Sequence, residues 1–191
     1  MVDIRRRVLL LGGFATAAFS GCTEKDGPQH ASAEEVKRDT HDTLEEVGLE
    51  SHALALGRFV GEATSHSDDG GQAGAGVQKV WVIDFAVERS NPAALPKTIK
   101  VALPEASDRP KPEDLSRAQP HALFLERVRA AERGGLQELG DLYLPIGGGA
   151  SMFTVSGDTA SPLAVGETRR KAESTSVTSV EKLFKVRLGR S

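Results

Sequence analysis

Cys22 is the only cysteine among the 191 residues, so the chain cannot close an intramolecular disulfide. Aromatic residues make up 5% of the composition, with one Trp and one Tyr, which leaves the core to aliphatic side chains. No apolar run reaches the roughly 20 residues that a membrane-spanning helix needs. A formal charge of −3 argues against nucleic acid as a partner. The phosphate-binding patterns are missing too: Gly70-Gly71 and Gly74-x-Gly76 have neither the lysine of a P-loop nor the spacing of a dinucleotide fingerprint. The five histidines, His30, His41, His52, His66 and His121, include no pair three to five residues apart. Metal-ligand spacing is therefore absent, and no metal or other cofactor is expected. His66 lies near Asp68 and Asp69, but the calcium-loop spacing with its closing Glu is not there, so that stretch reads as a solvated loop.

Catalytic signatures are equally thin. No Gly-x-Ser-x-Gly elbow occurs. Ser179-Val180-Glu181-Lys182 fits the Ser-x-x-Lys pattern of penicillin-recognising enzymes without its companion Ser-Asp-Asn and Lys-Thr-Gly elements. Ser and Glu are also the residues expected where a helix begins, and that is the expectation here. No catalytic residue is assigned, and the expectation is a protein that is not an enzyme.

The first 22 residues carry the most specific signal. Arg5-Arg6-Arg7 is followed by Val8-Leu9-Leu10-Leu11-Gly12-Gly13-Phe14-Ala15-Thr16-Ala17-Ala18-Phe19, a short apolar stretch after positive charges. These are the n- and h-regions of a secretory signal. Phe19-Ser20-Gly21-Cys22 resembles the lipobox of bacterial lipoproteins: an apolar residue, two small ones, then cysteine. That family usually has Leu where Phe19 stands. The resemblance implies that Cys22 is acylated and residues 1–21 are removed. It also implies that the mature chain is anchored to a membrane of the cell envelope, outside the cytoplasm. Arg5-Arg6-Arg7-Val8-Leu9 resembles the core of a twin-arginine signal as well, with Ile4 in place of the usual Ser or Thr, so both export routes remain open. Thr23, rather than Asp, follows the cysteine, as in lipoproteins that pass to an outer membrane where one exists.

Residues 22–50 read as the lipidated cysteine and a polar tether. Within it 33–47 is a possible helix, with Ser32 and Glu35 as a capping-box pair. From residue 52 the pattern becomes strand-like. His52 to Ala63 contains Leu54, Leu56, Phe59 and Val60, with Gly57 as a bulge, and a glycine-rich loop follows over 65–76. Trp81, Ile83, Phe85 and Val87 alternate against Asp84 and Glu88. Ile99, Val101 and Leu103 alternate in the next strand, and the turn at Asn91-Pro92 makes the two a hairpin. Trp81 and Phe85 are expected in the core, the alternative being an aromatic binding face. Pro104, Pro110, Pro112 and Pro120 bracket a polar connection. Residues 121–133 are ambiguous between helix, which propensity favours, and strand. Tyr143-Leu144 and Phe153 with Val155 give short strands around Gly147-Gly148-Gly149. Thr178 and Glu181 form a capping-box pair for a terminal helix whose apolar face is Val180, Leu183, Phe184 and Leu188.

Three of these segments, Ala53-Leu54-Ala55-Leu56-Gly57-Arg58-Phe59-Val60-Gly61, His121-Ala122-Leu123-Phe124-Leu125 and Gly147-Gly148-Gly149-Ala150-Ser151-Met152-Phe153-Thr154-Val155, follow one another around the hairpin. That order resembles small exported bacterial proteins with an OB-like barrel, similar to the netrin and metalloprotease-inhibitor modules. The resemblance spans roughly residues 50–160 and implies a mainly β fold. The expected architecture is a small OB-like barrel of about five to six strands over 51–160, with a linker and C-terminal helix over 161–191. It implies a strand through about Arg127. The inhibitory mechanism of the eukaryotic relatives needs disulfides and a free N-terminal cysteine, so it does not carry over. The expected function is a tethered binding or interaction domain whose partner is an envelope protein or a small ligand. The loop 65–76 and the connection 104–120 would be its contact surfaces. An envelope hydrolase with a site scattered along the chain, and a purely structural lipoprotein, remain open alternatives.

Overall fold

The computed structural model describes residues 43–69, 77–92, 95–106, 109–132, 134–146, 151–163 and 177–189. The fold is mainly β: among the described residues there are eight strands in one sheet and two short helices. Helix α1 (Leu44–Glu50) opens on a capping box in which Thr43 and Glu46 satisfy each other's backbone N–H groups. Of the expected helix over 33–47, the described residues are 43–47: Thr43 is extended and caps α1, and 44–47 are helical. The remainder of that segment lies outside the described residues.

Strands β1 (Ala53–Asp68), β2 (Gln78–Asn91) and β3 (Thr98–Pro104) form an antiparallel meander. The hairpin of β2 and β3 sets Phe85 opposite Ile99 and Ile83 opposite Val101, as their alternation requires. Register shifts at Leu56/Gly57 and between Val60 and Thr64 let β1 bend through its 16 residues. The first shift is the expected bulge. The glycine-rich loop is shorter than its composition suggests: residues 65–68 belong to β1 and pair with Trp81 to Gln78. Ser and His are poor strand formers on their own, but a partner strand already in place supplies their ladder hydrogen bonds. Residues 70–76 lie outside the described residues.

The ambiguity over 121–133 resolves as strand β4 (His121–Arg129), followed by a 3-10 turn Ala130–Glu132. Helix propensity there yields to burial: five consecutive residues, His121 to Leu125, are buried, which suits a strand covered on both faces. Strands β5 (Asp141–Pro145), β6 (Met152–Ser156), β7 (Thr159–Pro162) and β8 (Thr178–Ser179) complete the sheet. Its order is β1-β2-β3-β5-β4-β6-β7-β8, and β1 also pairs with β4. The β3–β5 pairing is parallel and the others are antiparallel.

Three apolar clusters follow from the alternation. The central one gathers Ala55, Phe59, Ile83, Phe85, Val101, Leu123, Leu125 and Tyr143 from the inward face of the first five strands. Trp81 packs against it half-buried, while Phe85 is fully buried. A second cluster joins the opposite face of β1 and β4 (Leu54, Ala122, Phe124) to α1 and to helix α2 (Val180–Lys185) through Leu44, Val47, Val180 and Leu183. Phe184 and Leu188 are half-buried against it, Leu188 lying beyond the end of α2. Ser179, not Thr178, caps α2 by accepting the Lys182 N–H at 3.2 Å. The third cluster packs Ala130, Leu136 and half-buried Leu139 over Val80, Val82 and Ala102. The segment between β4 and β5 therefore covers the outer face of β2 and β3. No helix among the described residues is long and apolar enough to cross a membrane.

Candidate functional site

Polar chemistry enters the central core at one end, where β4 begins. His121 shares the inward parity of Leu123 and Leu125, so its ring extends their row. The residue is 1% exposed. The imidazole meets the Phe59 ring edge-on at 5.1 Å, and Phe59 in turn meets Phe85 edge-on at 5.1 Å. Backbone pairing sets His121 between Gly57 of β1 and Thr154 of β6. Its Nδ1 is buried without a partner in good hydrogen-bonding geometry.

Two guanidinium groups lie in the neighbourhood of this end of the core. Arg58 is bound to Glu88 at 3.0 Å and donates to the Ala118 carbonyl. Arg117 stands 6.0 Å over the Phe59 ring, at the outer limit of a cation–π contact. Burial lowers the His121 pKa to about 4, against an opposing pull from the Gln119 backbone and with further lowering by the charges of Arg117 and Arg58. The imidazole is therefore neutral near pH 7. Leu115, 4% exposed, belongs to the central cluster, so the Pro-rich connection closes this end of the core instead of running free over the surface.

At the other end, the tip of β1 meets the β4–β5 connection. The Asp69 N–H donates to the Gly134 carbonyl at 3.4 Å. A Cβ on Gly134 would strike the Asp69 carboxylate, and one on Gly135 the Ser67 carbonyl oxygen. Asp68 is buried. Nearby on β2, Lys79 lies 4.0 Å over the Trp81 ring and 3.8 Å from Glu105. This end presents carbonyls and carboxylates around a half-buried indole.

The residues singled out by sequence are dispersed. Cys22, Arg5, Arg6, Arg7, Phe19, Ser20 and Gly21 all lie outside the described residues, as do His30 and His41. His52 and His66 have other partners than buried His121: His66 bonds Thr64 through Nε2 at 3.0 Å, and the His52 N–H donates to the Leu125 carbonyl. Among the described residues no three His, Cys, Asp or Glu side chains converge as a metal site would require. The Ser179 hydroxyl serves the α2 cap, and Lys182 supplies the N–H it accepts. The Arg58–Arg117–His121 grouping was not legible in sequence, because its members lie on β1, on a connection and on β4. Only the parity of His121 with Leu123 and Leu125 pointed inward, and only on the strand reading.

Comparison of the chain with protein-family models, with curated proteins and with solved structures finds no match in any of the three.

Proposed function

We propose that this chain is a lipid-anchored binding or interaction domain of the bacterial cell envelope, exported and held on the membrane through Cys22. The observation that carries the reading is the order of the chain. Arg5-Arg6-Arg7, a short apolar stretch and Ser20-Gly21-Cys22 come first, and a β-rich unit whose first described helix begins at Leu44 follows. Acyl chains on Cys22 would supply the stable attachment that a single chain cannot. The residues between Cys22 and Thr43 are polar and would serve as a tether.

The β unit is read as an OB-like barrel on its pairings, which run β1-β2-β3-β5-β4 and return to β1. Barrels of this kind take ligands on the outer face of strands 2 and 3 and in the adjoining loops. Here Ala130, Leu136 and Leu139 occupy part of that face, and Asp84 and Glu88 are exposed on the strand beside it. With part of that face covered and a formal charge of −3 on the chain, a protein or small-molecule partner is favoured over nucleic acid. The surfaces left for contact are the tip around Ser67, Asp69 and Trp81, and the outer side of the 104–120 connection.

Metabolic palmitate labelling with membrane fractionation, comparing the native chain with Cys22→Ala, tests the reading. The native chain is expected to label and sediment with membranes while the variant does neither. Failure of the native chain to label would remove the lipid anchor and leave an incidental cysteine.

A further inference from the structure

We draw no further inference here: the strongest candidate, the surface patch on β2 where Lys79 lies over the half-buried Trp81 ring beside Glu105, belongs to the contact surface already proposed, and nothing in the structure shows what covers it.

Discussion

Gly57 illustrates how one residue sets the course of a strand. It sits at the first register shift of β1, where a Cβ would be driven into the Ala86 carbonyl oxygen and against the Phe85 ring. Backbone on one side and a fully buried aromatic on the other leave little room to yield. Gly57→Ala is therefore expected to cost about 3 kcal/mol, the upper part of the range for overpacking. For a chain of this size that lowers the melting temperature by roughly 6–12 °C, which calorimetry or thermal circular dichroism would register. An unchanged melting temperature would mean that β1 can shift off β2 at this point. Gly57 was legible as a bulge because an isolated glycine in a strand pattern has few other uses. The close approach of Ala86 was not legible, since it depends on which strand pairs there.

At the scale of elements, the two described helices are short and owe their position to packing. Helix α2 has six residues, too few to persist alone in water. Leu183, fully buried, and Val180 hold it against Phe124 and Phe153, and Arg89 reaches across from β2 to Glu181 at 2.7 Å and to the face of Phe184. Exposed ion pairs of that kind contribute little, so burial should dominate. Leu183→Ala is expected to destabilise the protein by about 2–5 kcal/mol. Ser179→Ala, which removes the cap, should cost about 1 kcal/mol. Chemical denaturation of both variants checks the ranking, and a cap loss equal to the core loss would contradict it. The apolar face of α2 was readable from its spacing. The displacement of the cap from Thr178 to Ser179 was not, because both hydroxyls suit a cap and only the folded chain starts the helix at Val180.

The stability of the whole molecule should carry the signature of His121. The ring binds its proton more weakly in the folded chain, at about 4, than at the ordinary 6.5 of an unfolded one. Unfolding in mild acid therefore takes up a proton, and stability falls as pH falls. The full contribution is present above pH 6.5 and is lost progressively by about pH 4. A gap of this size corresponds to at most about 3 kcal/mol. Urea midpoints at pH 7.5, 6 and 5 should fall in order for the native chain and much less for His121→Phe. Equal slopes for the two chains would assign the acid sensitivity to other groups. This dependence was out of reach of sequence, because a histidine's burial and its neighbours are properties of the assembled sheet.

What the sequence determined by itself is local. Alternation placed β2 and β3 and their inward faces, a lone glycine marked the bulge, and 3.6-residue spacing marked the face of α2, because these patterns report on neighbouring residues along one chain segment. The export and lipidation reading also rests on sequence alone, in residues outside the described structure. Tertiary structure decided the rest. It extended β1 through residues of low strand propensity because β2 was there to pair with them, and it turned 121–129 into a strand because both faces were covered. It packed Ala130, Leu136 and Leu139 over the outer face of β2 and β3, and drew Arg58, Arg117 and His121 together from three separate stretches. Each of these outcomes depends on contacts between residues far apart in the chain, and such contacts leave no periodicity in any one segment to be read.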